Sequence, residues 1–132
     1  MNIMIPIKKQ YADSILKGDK RFEFRKHLPK IKVDDKVYLY VTAPIKKVVG
    51  YFTVDYTVSM PIDIFLWMYE NNKESGITKE ELHKYFKNKE KGYAIKIKDI
   101  VSYVLPLELN YFNVKYAPQN YIYITEAYYY KN

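Results

Sequence analysis

The chain has 132 residues, enough for one hydrophobic core and too few for two comfortable ones. Nearly half of it (48%) is apolar and no tract is of low complexity, which excludes a mainly disordered chain. Cysteine is absent, so disulfides, thiolate chemistry and a Cys-based zinc site are excluded, while the net charge of +7 turns attention to anionic partners.

The chain opens with NIMIPIK (2–8), in which Ile3, Ile5 and Ile7 alternate onto one face and predict a strand. Pro6 restricts that strand to an edge or places it near the strand's end. KQYADSILKG predicts a short helix with Tyr11, Ala12, Ile15 and Leu16 as its apolar stripe and Gly18 as its C-terminal stop. KRFEFRK alternates again, with Phe22 and Phe24 on one face and Arg21, Glu23 and Arg25 on the other. A loop carrying Pro29 and the Asp34-Asp35 turn follows.

VYLYVTA (37–43) and KKVVGYFTVDYTVS (46–59) are the clearest strands, joined by a hairpin-like turn at Pro44, and Gly50 predicts a bulge or bend. PIDIFLWMYENN (61–72) predicts a helix with Ile62, Phe65, Leu66 and Tyr69 in its apolar set and Trp67 packed in the core. ESG breaks it, and Thr78 caps KEELHKYFKN with Glu81 completing a capping box. GYAIKIKDIVSYV (92–104) and YIYITEA (121–127) return to strand character, separated by a stretch punctuated by Pro106 and Pro118. There are no internal repeats and no linker, so residues 1–132 read as one α+β domain: an antiparallel or mixed barrel decorated by helices.

The charge is unevenly spread. Residues 1–50 hold 12 Lys/Arg against 5 Asp/Glu, and residues 51–132 hold 10 against 10. A basic region on an otherwise neutral domain points to a polyanion or an anionic ligand, and a solvated lysine-rich surface has the same composition. The 16 tyrosines suit half-buried strands and also stack on bases; most are expected in the wall and core of a sheet, with the terminal AYYYKN a trailing strand end. His27 and His83 lack ligand-like spacing, so neither a metal nor another cofactor is expected. No apolar run is long enough to span a bilayer and MNIMIPIKKQ lacks a signal-peptide core, which makes the cytoplasm the expected location and leaves no membrane partner.

The segment between helix and hairpin is the most informative. On a strand whose phenylalanines face inward, Arg21, Glu23 and Arg25 stand about 6–7 Å apart on the opposite surface. The acid orients the two bases while their remaining donors stay available to a phosphate or a base edge. Lys20 projects from the strand's start, where a cleft beside the helix can form. The same pattern serves as a salt-bridge ladder that keeps the strand soluble.

GDKRFEFR fits G-x-K-x-x-E-x-R and resembles the signature segment of ASCH domains, members of the PUA-like superfamily. IPIKKQYADSILKGDKRFEFRKHLPK resembles the family's opening strand, helix and motif strand, VYLYVTAPIKKVVGYF its central hairpin, and APQNY a late proline-glutamine turn. The resemblance implies a small PUA-like β-barrel of about five to six strands, mostly antiparallel, with a short N-terminal helix, two helices in a central insertion and a basic cleft beside the barrel. It also implies a link to RNA or modified nucleotides and a regulatory role in transcription or translation.

Carried over residue by residue, the motif gives Gly18, Lys20, Glu23 and Arg25. Gly18 provides the turn from helix into strand. Lys20, Arg21, Glu23, Arg25 and Lys26 are expected to line the cleft, with Thr42, Gln119 and Tyr121 bordering it. The family also includes N4-acetylcytidine amidohydrolases and ribonucleases. The amidohydrolases resemble this motif strand but carry threonine where this chain has Glu23, so hydrolysis here would rest on Lys20 and Glu23 as an acid–base pair. The expectation is therefore a module binding RNA or a modified nucleotide, with a small hydrolase as the alternative and a protein-interaction module as a third reading.

Overall fold

The computed structural model describes residues 1–125; residues 126–132, which include the AYYY run read above as a strand end, lie outside the described residues. Six strands form one sheet: β1 (Asn2–Ile7), β2 (Phe22–Arg25), β3 (Lys36–Val41), β4 (Lys47–Pro61), β5 (Lys91–Leu107) and β6 (Ile122–Ile124), in the order β2-β5-β4-β3-β1-β6. Helix α1 (Lys9–Leu16) links β1 to β2, and α2 (Ile62–Tyr69) and α3 (Lys79–Tyr85) fill the insertion between β4 and β5. The fold is α+β. β1 and β3 pair in parallel and every other ladder is antiparallel.

The alternation in β1 sends Ile3, Ile5 and Ile7 to a core with Val37, Leu39, Val41 and Phe52, while Ala12 and Ile15 of α1 cover that face. The opposite face is buried too: Met4 packs with Tyr38, Tyr40, Phe112 and Ile124. A strand in parallel pairing, covered on both sides, has no solvent face to mark with polar residues. Pro6 is tolerated inside the sheet because the β6 ladder spans only Asn2–Met4, leaving that edge of β1 unpaired at Pro6. Gly50 occupies the expected bulge. A Cβ there would lie 2.2 Å from the Val101 carbonyl oxygen, and the β4–β5 register shifts beside it.

Three expectations need correction. Among the described residues the sheet does not close into a barrel by hydrogen bonding, because β2 and β6 remain its two edges. The Arg25 guanidinium spans the gap instead, donating to the Asn120 carbonyl oxygen at 2.7 Å. Strand β5 runs through Pro106 to Leu107, which still pairs with Val48 of β4, while β2 pairs only with Tyr93–Lys96 and leaves the other side of β5 without a ladder near the proline. Trp67 is 76% exposed: α2 buries Phe65 and Tyr69 one turn apart and turns Trp67 away from them.

A second core positions the functional side chains. Phe22 and Phe24 of β2 meet Phe65, Tyr69, Leu82 and Phe86 of the insertion, edge-on in several pairs, with Phe22–Tyr69 centroids 5.0 Å apart. The insertion is thereby packed against the motif strand and forms one wall of a cleft; α1 forms the other.

Candidate functional site

The chain leaves α1 through Gly18 (φ +88), and the backbone N–H groups of Asp19 and Lys20 both donate to the Ser14 carbonyl oxygen. This turn aims Lys20 inward. Its side chain is 2% exposed, and its ammonium donates to the Ser75 carbonyl oxygen at 2.6 Å and lies 4.6 Å from the Phe24 ring centroid. Burial pushes the Lys20 ammonium down to about 8, opposed in part by the charge on Glu23. Ser75 belongs to a 3-10 turn (Lys73–Ser75) ended by Gly76 in the left-handed region (φ +62). A Cβ on Gly76 would stand 2.5 Å from the Lys20 Cβ, so the glycine makes room for the lysine stem.

The motif strand carries the next two groups. Glu23 is buried and accepts from Arg25 at 3.2 Å, and the other terminal nitrogen of Arg25 reaches Asn120. One guanidinium therefore holds both the carboxylate and the segment that leads into β6.

A cleft of about 650 Å³ opens over these side chains. Its floor and motif-strand wall are Lys20, Glu23, Phe24 and Arg25; Lys8 and Tyr11 stand on the α1 side, and Ile77, Glu81, Lys84 and Tyr85 on the α3 side. The charged lining is four cations, Lys8, Lys20, Arg25 and Lys84, against two carboxylates, Glu23 and Glu81. The Tyr11 hydroxyl donates to Glu81 and so ties α1 to α3. Burial, then Glu81, pushes the Tyr11 phenol up to about 12, and burial also raises that of Tyr85.

The expected residues divide three ways. Lys20, Glu23 and Arg25 meet at the cleft. Lys26 stands at its rim, its ammonium 4.6 Å from the Tyr85 ring centroid. Arg21 does not line the cleft: it precedes the first ladder residue, Phe22, and its guanidinium turns back to the carbonyl oxygens of Ile97 (3.1 Å) and Lys98 (3.4 Å). Thr42 and Gln119 are exposed outside the lining, although the Thr42 N–H donates to the carbonyl oxygen of the lining residue Ile7. Tyr121 adjoins Asn120 and packs edge-on against Tyr123.

Sequence reasoning missed Tyr11, Glu81, Tyr85, Ser75 and Gly76. Tyr11 reads as helix stripe and Glu81 as a capping residue. The Thr78 hydroxyl does accept from the Glu81 N–H (3.1 Å), but the Glu81 carboxylate goes to Tyr11. Among the described residues no metal-binding group of three or more His, Cys, Asp or Glu comes together, and no helix is long and apolar enough to cross a membrane.

A family model of the ASCH domain matches residues 5–101. An ASCH domain-containing ribonuclease of Zymomonas mobilis is 27% identical over 90 residues, 68% of this chain and 60% of that protein. The large ribosomal subunit protein uL22 of Ureaplasma parvum is 33% identical over 89 residues, 67% of this chain and 28% of that protein. The match thus spans less than two thirds of the length of either relative. The crystal structure of ASCH from Zymomonas mobilis has the same fold, with a TM-score of 0.87 at 22% identity over 98% of this chain and 92% of that one.

Proposed function

The chain belongs to the ASCH domain family, and from that premise we propose that its cleft binds a nucleotide unit of single-stranded RNA or a modified nucleotide. The observation that carries this reading is the lining itself: four cations and two carboxylates framed by Tyr11, Phe24 and Tyr85 in a hollow of about 650 Å³. Aromatic walls suit a base, cations suit its phosphate, and the buried Glu23 carboxylate with the half-buried Arg25 guanidinium suits the polar edge of the base. Helix α1 supports the same polarity. No acidic residue stands in its first turn and Lys8 and Lys9 flank its start, an arrangement that the helix dipole disfavours and a bound anion offsets.

Titration of the protein with labelled single-stranded RNA at two ionic strengths tests the proposal. Binding that weakens steeply with salt is expected, since each phosphate contact releases counterions. Salt-independent binding, or none to a mixed RNA pool, overturns it.

A second reading is favoured by Lys20. An ammonium brought down to about 8 is neutral in roughly a tenth of molecules at pH 7, enough for proton transfer beside Glu23. On this reading the domain is a hydrolase of RNA, in keeping with the name of its Zymomonas relative, or of an acylated nucleoside such as N4-acetylcytidine. Turnover of either compound that disappears in Lys20→Ala supports it; turnover that persists in that variant removes the mechanism.

A further inference from the structure

A second cavity, about 370 Å³, lies against the first and shares Gln10, Tyr11, Ile77 and Glu81 with it. The hydrogen bond from Tyr11 to Glu81 bridges α1 and α3 between the two hollows. Their chemistry differs sharply. The first holds four cations; the second holds none, and beyond the shared residues it offers Ser14, Gly76 and Thr78. Among the described residues Glu81 is thus its one charged group, which repels a phosphate, while its hydroxyl and amide neighbours match a neutral, hydroxylated unit.

Resting on the nucleotide-binding reading above, we propose that this second cavity is a ribose subsite in which the Glu81 carboxylate accepts a hydrogen bond from the sugar 2′-hydroxyl. A carboxylate has about four acceptor positions, and the Tyr11 hydroxyl occupies one, so acceptor capacity is left for a ligand. Tyr11, whose phenol is raised to about 12, stays a donor across the physiological range and keeps the carboxylate oriented. The Thr78 hydroxyl anchors the Glu81 backbone from below, so the acceptor stands on a capped helix end rather than a loose loop. With the phosphate drawn to Lys8 and Lys84 in the first cavity, the adjoining sugar reaches the ridge between the hollows. A carboxylate at that ridge reads the group that distinguishes RNA from DNA.

The test uses the whole chain and three short single-stranded oligonucleotides of one sequence: ribo, deoxyribo and 2′-fluoro. The last retains a ribose-like sugar but cannot donate. The wild type is expected to bind the ribo form roughly ten- to a hundredfold more tightly than the other two, the worth of one hydrogen bond to a charged acceptor. Glu81→Gln keeps the Thr78 cap, whose donor is backbone, and is expected to narrow the ratio of ribo to deoxyribo affinity to within about threefold, whatever the removed charge does to the affinity for both. Equal binding of all three oligonucleotides by the wild type overturns the ribose subsite and leaves the nucleotide reading standing. Tight binding of the 2′-fluoro form likewise overturns the role of a donated hydrogen bond. Binding of none of the three removes both proposals.

Discussion

The Lys20 ammonium and the Ser75 carbonyl oxygen meet at 2.6 Å across 55 residues of sequence, and one residue further on the Arg21 N–H donates to the Glu74 carbonyl oxygen at 2.7 Å. These two bonds join the lead-in of the motif strand to the helical insertion. Together with the aromatic contacts of Phe22 and Phe24, they make the strand and the insertion one packed unit. The cleft wall is therefore built before any ligand arrives, and a charged donor in its floor helps to hold it.

Gly76 is the residue on which this junction turns. Its φ of +62 already strains any other residue, and its missing Cβ leaves the space taken by the Lys20 stem. Gly76→Ala is expected to cost about 2–3 kcal/mol and to displace Lys20, weakening RNA binding with it. Gly18 is the control. Its φ is +88, but nothing lies within 4 Å of the position its Cβ would take, so Gly18→Ala costs about 1 kcal/mol and leaves the lysine in place. Urea unfolding of both variants separates the two; equal losses would mean that backbone strain alone accounts for Gly76.

Lys20 carries a pH signature. Its folded value, about 8, lies below the ordinary lysine value of 10.5. Between those values the unfolded chain keeps a proton that the folded chain has released, so stability rises with pH through this window. Below it the burial penalty is fully present, on the order of 3 kcal/mol. Lys20→Met removes that penalty but orphans the Ser75 carbonyl oxygen, for an expected net gain of about 1–2 kcal/mol at pH 7. The stability of the wild type relative to this variant should climb between pH 7 and pH 10. Parallel profiles would show that the ammonium is not desolvated.

What could be read in the sequence is what short-range patterning encodes. Alternation located β1, β3 and β4, the Tyr11–Leu16 stripe located α1, and Thr78 marked the start of α3. The G-x-K-x-x-E-x-R segment placed Lys20, Glu23 and Arg25 close together. Partners separated by long stretches of chain left no local trace: Tyr11 and Glu81 lie 70 residues apart, Arg25 and Asn120 lie 95 apart. Arg21 shares the alternation of its neighbours, yet it sits one position before the β2 ladder begins, where the two-residue period no longer sets direction. In α2 the run Ile64-Phe65-Leu66-Trp67-Met68 is apolar on every side, so periodicity could not say which face the second core would take.

Trp67 provides a direct check on that face. It is the single tryptophan of the chain and is 76% exposed. Intrinsic fluorescence should show a solvent-exposed indole, readily quenched by acrylamide, with little further red shift on unfolding. Trp67→Ala is expected to change stability by less than about 0.5 kcal/mol, as for a surface site. A blue-shifted, quencher-resistant emission would place the ring in an apolar contact and contradict the orientation of α2.

Arg21 and Arg25 should behave differently because one faces the cleft and one does not. Arg25 contacts Glu23 at 3.2 Å and Asn120 at 2.7 Å through separate nitrogens, a two-pronged geometry that a single ammonium cannot reproduce. Arg25→Lys is therefore expected to cost about 1–2 kcal/mol, to speed amide exchange in β6, and to weaken RNA binding about tenfold as Glu23 loses its orientation. Arg21 spends its donors on the carbonyl oxygens of Ile97 and Lys98, so Arg21→Lys should change affinity less than about threefold. Exchange rates and binding constants measured for both variants decide the matter. If Arg21→Lys proved the more damaging to binding, the ligand would have to lie along β5 rather than in the cleft between α1 and α3.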